Sequence, residues 1–166
     1  MEQKDRFFQE IQQGSFELTR LLLIRHGEVE NTTDGQFRYN GHKDVDLSEN
    51  GIRQIEILGD FLKRNGFSVS NIYSSDLKRS RKSAEILSRY IGGKVHPYKE
   101  LRELAQGIWE GLTLCEVFKL FPDIAEKKFK DFVHYRVPGG ENLMGKKGFF
   151  PYSGRYSMIT VEKPLL

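Results

Sequence analysis

The sequence predicts a layered α/β/α fold with a mainly parallel sheet. Short apolar runs alternate with amphipathic helical segments along the chain, which is the pattern of consecutive βαβ units. The run Leu21-Leu22-Leu23-Ile24 reads as a buried strand. It is followed at once by Arg25-His26-Gly27-Glu28, so charged groups fall where a strand ends. In open α/β sheets that is where ligands bind.

The elements follow in order. Residues 1–19 form an extension before the first strand. Phe7, Phe8 and Ile11 could line one face of a short helix there, or the segment could be a frayed terminus. Residues 29–47 are polar and loop-like, with Gly35 and Gly41. Ser48 is placed to cap a helix over about 49–65. Ile52, Ile55, Leu58 and Leu62 share a face of it, and Gly66 is its stop. Val69–Tyr73 is the second expected strand. Asp76 is the expected cap of a helix in which Leu77, Ser80, Ala84, Leu87 and Ile91 recur, ending at Gly92-Gly93. Lys94–Tyr98 is a third, weaker strand. Thr113 and Glu116 have capping-box spacing, Pro122 interrupts the helix they open, and Asp123 restarts it through Phe132.

One domain is the natural count for 166 residues. Hydrophobic content of 38% and charged content of 30% fit a globular chain with a sizeable core. The net charge is only +3, with acids and bases interspersed. This argues against a nucleic-acid partner and leaves room for a local anion pocket. The single cysteine, Cys115, allows neither an intrachain disulfide nor a cysteine metal cluster. Its neighbours Leu114 and Val117 suggest a buried thiol. The charged N-terminus lacks a signal-peptide pattern, and no run approaches the roughly 18 apolar residues of a membrane span. The expected setting is the cytoplasm, with no membrane partner.

The chemistry at the end of the first strand suits a phosphate. Arg25 can hold phosphoryl oxygens in a bidentate fork, and the His26 imidazole can attack phosphorus. Gly27 removes a side chain from the approach. On these four residues alone, a histidine merely hydrogen-bonded to a carbonyl at the strand end is an equal reading.

Further motifs decide between the two. Gly41, Asp44, Leu47, Ser48, Gly51 and Gln54 follow the first motif. Ser74-Ser75-Asp76-Leu77-Lys78-Arg79-Ser80 comes next, then Leu101-Arg102-Glu103 with Gly107-Ile108-Trp109-Glu110-Gly111-Leu112, and finally Pro138-Gly139-Gly140-Glu141. Over residues 20–143 this order resembles the histidine phosphatase superfamily, which includes cofactor-dependent phosphoglycerate mutases and alpha-ribazole phosphatases.

The resemblance implies a phosphoglycerate mutase-like fold. It makes His26 the nucleophile, Arg25 and Arg79 the phosphate clamps, and Glu103 the general acid, with Glu100 as the rival three residues earlier. A carboxyl beside a phosphate dianion has a raised pKa, which favours the protonated acid. Asn31 and Thr32 lie where members often carry a phosphate-contacting Asn, with a match off by one residue so that either could serve, and Gly41 and His42 lie in the loop over the substrate. His96, His134 and Trp109 read as structural or exposed. The implied partner is a small phosphorylated metabolite, with no metal and no cofactor; oligomeric state stays open. Phosphatase is preferred over mutase because the segment between Glu103 and Gly139 is short. An alpha-ribazole phosphate, a sugar phosphate or phosphoglycerate are the candidate substrates.

The resemblance stops after Glu141-Asn142-Leu143. The family continues with a long helix and a central strand that ends in a second catalytic His. Residues 144–166 contain no histidine, and their only strand-like stretch is Ser157–Val161. The loss of every motif at one point reads as out-of-frame sequence, the alternative being an intact short protein with a diverged end. Either way the C-terminal part of the family core is missing. A catalytically inactive phosphate-binding protein is therefore the reading from a different class.

Overall fold

The computed structural model describes residues 20–145 and 158–162. The expected helix at Phe7, Phe8 and Ile11 lies outside these residues. Among the described residues the sheet has four strands: β1 (Arg20–Ile24), β2 (Asn71–Ser75), β3 (Lys94–Tyr98) and β4 (Met158–Glu162), in the order β1-β4-β2-β3. β2 and β3 pair in parallel, and β4 is antiparallel to both β1 and β2. Three strands thus run one way and β4 runs against them. Of the stretch expected at Ser157–Val161, residues 158–161 lie in β4, which takes a central place, with Thr160 opposite both Leu22 and Ile72.

Two helices make the layer on one face, α1 (Glu49–Arg64) and α2 (Lys78–Ile91). Their inner sides meet Ile24, Val69 and Ile72 in a core with Ile55, Leu62, Ala84, Leu87 and Ile91. Leu21 and Leu23, alternating with Leu22 and Ile24, stay exposed on the other face, as the two-residue period of a strand requires. A second cluster joins Trp109 and Val137 to α3 (Leu114–Leu120) and α4 (Pro122–Lys130) through Val117 and Ala125. No helix among the described residues is long and apolar enough to cross a membrane.

Local signals behave as expected where the partner is local. The Ser48 hydroxyl accepts from Gly51 N at 3.0 Å and caps α1. The capping box of Thr113 and Glu116 is complete. Pro122 opens α4 at its first position, where its missing N–H costs nothing, so the helix begins one residue before Asp123 and ends at Lys130.

Three expectations are corrected. The second strand starts at Asn71, because Val69 N is engaged by the Ile91 carbonyl at the end of α2. Asp76 does not cap α2. Its carboxylate is taken by the Arg102 fork, at 2.5 Å for each bond, and a bidentate charged pair outcompetes a backbone amide. The N–H of Lys78 is met instead by Asp44, at 2.7 Å. Cys115 is exposed, not buried. In a short helix it lies about 200° from Val117, which takes the core position.

One contact between backbones fixes where the loop after β1 meets α1. A Cβ on Gly51 would lie 2.0 Å from the Glu28 carbonyl oxygen, and one on Gly27 would lie 2.2 Å from that of Gly51. Both atoms belong to backbone, so neither can move alone. Gly51→Ala should therefore lower stability by about 1–3 kcal/mol, read as a lower urea midpoint at unchanged slope. An unaltered midpoint would mean that the start of α1 is free to draw back.

Candidate active site

β1 delivers Arg25, His26 and Gly27 to one end of a cavity of about 490 Å³. Buried Ile24 anchors the strand, and the turn beyond it is tied to α2. Gly27 N donates to the Ser83 hydroxyl at 3.4 Å, and that hydroxyl donates to the Arg79 carbonyl at 2.8 Å.

His26 is held by its Nδ1, 2.7 Å from the Gly27 carbonyl. A carbonyl oxygen only accepts, so the proton sits on Nδ1 and the lone pair on Nε2. Burial pushes the imidazole pKa down to about 4. The Gly27 contact opposes this, and the charges of Arg79 and Arg25 add to it. The guanidinium groups favour the neutral ring, and desolvation is the larger cause.

Arg79 is buried, with 2% of its surface exposed. Its Nη1 donates to the Lys43 carbonyl at 2.9 Å and its Nη2 to the Gly41 carbonyl at 2.8 Å. Nη2 also faces Glu103 Oε2 at 3.5 Å. Burial lowers its pKa, and Glu103, Asp44 and Glu110 oppose that shift.

Glu103 lines the cavity, whereas Glu100 is exposed and stands outside it. The Glu103 segment is held from behind. Glu110 Oε1 accepts from His42 N at 2.8 Å and Gln106 N at 3.1 Å, and Glu141 Oε2 accepts from Ala105 N at 2.9 Å.

The remaining expected residues divide. Thr32 lines the cavity, its hydroxyl donating to the Val29 carbonyl. Asn31 does not line it; its amide is paired with that of Asn40, at 2.7 and 3.2 Å. Gly41 and His42 stand behind the wall. Gly41 has φ of +48°, and a Cβ there would come within 2.7 Å of Gln106 N. The His42 ring turns its Nε2 to the Glu103 carbonyl at 3.0 Å. His96 contacts Asn71 and stacks on Tyr73, His134 is exposed beside Asp131, and Trp109 is buried in the second cluster. Sequence reasoning passed over Gln36, Phe37, Arg38 and Asn40, which complete the wall. Their only signal was a polar loop with an aromatic residue directly downstream of the strand end.

A family model, the histidine phosphatase superfamily (branch 1), matches residues 21–145. The chain belongs to this superfamily. It is 32% identical over 126 residues to phosphoserine phosphatase 1 of Hydrogenobacter thermophilus, a match covering 76% of this chain and 58% of that protein. Among solved structures it is similar to the alpha-ribazole phosphatase of Shigella flexneri, with a TM-score of 0.65 and 26% identity over 76% of this chain and 60% of that one. It also resembles a mycobacterial glucosyl-3-phosphoglycerate phosphatase in complex with inorganic phosphate, with a TM-score of 0.58 and 28% identity over 75% and 55% of the two chains. The chain therefore spans less than two thirds of the length of each of these relatives.

The depressed pKa of His26 has a consequence for stability. Between about 4 and the unfolded value of 6.5, the unfolded chain holds a proton on this ring that the folded chain does not. Stability thus rises with pH through that window; the contribution is complete above 6.5 and lost as pH falls to about 4. For a part-buried ring it is on the order of 2 kcal/mol. Denaturation curves at pH 4.5 and 7 should differ less in His26→Gln than in the native chain, and the His26 ring should titrate near 4 by NMR. A midpoint near 6.5 would refute the assignment.

Proposed function

We propose that this chain binds a small phosphomonoester and cleaves it through a phosphohistidine on His26. The observation that carries this reading is the imidazole itself. Its Nδ1 is occupied by the Gly27 carbonyl, so Nε2 keeps its lone pair, and the ring stays neutral above about pH 4. Arg25 and Arg79 hold the phosphoryl oxygens, so guanidinium groups supply the positive charge. Nε2 attacks phosphorus and the ester P–O bond breaks. Glu103 gives its proton to the departing alkoxide. Water then attacks the phosphohistidine, Glu103 accepts a proton from it, and inorganic phosphate leaves. Hydrolysis is preferred to mutase transfer because the segment from Glu103 to Gly139 is short and the similar proteins include named phosphatases.

A specific observation favours a second reading, in which the chain binds phosphorylated ligands with little turnover. Residues 135–166 hold no histidine, so the family's second catalytic imidazole has no counterpart among them. Loss of one preorganised stabiliser of this kind costs about 10²–10³ in rate.

Incubation with a labelled phosphodonor should give acid-labile label on the native chain and none on His26→Ala. Label that persists in the variant would overturn the assignment. Vanadate binding, measured by calorimetry, should weaken about 10- to 100-fold in Arg79→Ala, as expected for lost charge-assisted bonds. Equal affinity would return Arg79 to a purely structural role.

A further inference from the structure

We propose that the leaving-group end of the cavity selects phosphomonoesters of uncharged ring alcohols, stacked on Phe37, and rejects substrates that carry a second anionic group. This rests on the phosphatase reading above and specifies its substrate class.

The charges decide the first half. Among the described residues, the cations that line the cavity are Arg25, Arg38 and Arg79. Arg25 and Arg79 lie at the phosphate end, with His26. Arg38 also lines the cavity, and it is already compensated. Its two terminal nitrogens bind the Asp34 carboxylate at 2.8 and 2.6 Å, and Nη1 also donates to the Asn31 carbonyl. Arg38, helped by Gln36 N, holds the Asp34 carboxyl down to about 2, so the pair remains ionised at working pH. Glu116 adds a further negative charge in the field of Arg38. Glu28 lines the same cavity, its carboxylate accepting from the Ser48 hydroxyl at 2.6 Å. A second phosphate or carboxylate on the substrate would meet a neutralised arginine and a negative group, and like charges at close quarters are strongly unfavourable.

The wall is instead equipped for neutral polar groups. Gln54 turns its Oε1 to Glu28 N at 2.9 Å, which leaves its NH₂ group as the donor for a substrate hydroxyl. Gln36 adds an amide to the same lining. Phe37 is 59% exposed at the cavity, yet its ring is braced from behind. Its centroid is 5.5 Å from that of Tyr39, nearly perpendicular, and Tyr39 in turn lies 5.4 Å from buried Trp109. A braced aromatic with an open face gains most by covering that face with another ring. Sugar and nucleoside monophosphates both offer one.

The test is calorimetry on the full chain with inorganic phosphate, glucose 6-phosphate, adenosine 5′-monophosphate and 3-phosphoglycerate. At least one ring ester should bind about 10-fold more tightly than 3-phosphoglycerate, and the stronger of the two identifies the ring as sugar or nucleoside. Phe37→Ala should cut the advantage of that ester over inorganic phosphate about fivefold. Asp34→Asn, which uncovers Arg38 on an exposed loop, should improve 3-phosphoglycerate binding about threefold. Binding of 3-phosphoglycerate as tight as that of both ring esters would overturn the inference, as would affinities that change in neither variant. Inorganic phosphate that binds without selectivity among the esters sinks this inference alone. Phosphate that fails to bind, or binds equally well to Arg79→Ala, sinks the phosphatase reading beneath it as well.

Discussion

A buried guanidinium must find partners for its donors, because the desolvation of an unpaired charge costs several kcal/mol. Arg79 meets this demand with two backbone carbonyls, those of Gly41 and Lys43, and with the Glu103 carboxylate. The two carbonyls belong to one loop and the carboxylate to a second segment, so satisfying one side chain aligns both with α2. The carbonyl of Arg79 extends the linkage through Ser83 to Gly27. The proposed nucleophile, acid and clamp are thereby held in one frame, the clamp meeting the acid directly and the nucleophile's turn through Ser83. Glu110 serves the outer side of that frame, since one oxygen ties His42 N to Gln106 N. The positive φ of Gly41 belongs to the same arrangement, because a side chain there would displace the backbone at Gln106, just beyond Glu103.

How much of this was legible in the sequence follows the range of each interaction. Ser48 and the Thr113–Glu116 box cap their helices within three residues, and both could be read directly. Asp76 looked equally suited to its cap, but its partner Arg102 arrives from a distant segment and wins the carboxylate. Cys115 was misjudged because two apolar neighbours in sequence do not share a helix face. The strand end at His26 was legible because apolar run, charge and glycine coincide there. Both readings of that histidine, one bonded to a carbonyl and one a nucleophile, describe the same ring, since occupying Nδ1 is what leaves Nε2 with its lone pair. The wall of Gln36, Phe37, Arg38 and Asn40 was not legible. Its shape depends on the Asn31–Asn40 amide pair and on Tyr39 packing against Trp109, neither of which leaves a periodic trace.

The direction of β4 separates what the sheet gains from what the site gains. Its backbone closes the space between β1 and β2, so strand pairing is continuous across the sheet. Because it runs antiparallel, its first residue, Met158, is the one paired with Ile24 beside the site, while Glu162 pairs with Arg20 at the far end. A strand in this direction brings its start, not its end, to the place where Arg25 and His26 emerge. The sheet can thus be complete in hydrogen bonds while the chemistry at its edge relies on the groups that β1, α2 and the Glu103 segment supply.

That same central strand shapes how the protein must be made. β1 and β2 leave the ribosome long before β4, and each needs β4 as its neighbour. Pairings of such large sequence separation form slowly, because the loop-closure entropy comes due before the contacts that offset it. Until then the nascent chain carries open strand edges beside apolar Leu21, Leu22 and Leu23, a template for pairing with other chains. The interval of greatest aggregation risk therefore falls during synthesis. Its length is set by how soon β4 is translated and paired between β1 and β2.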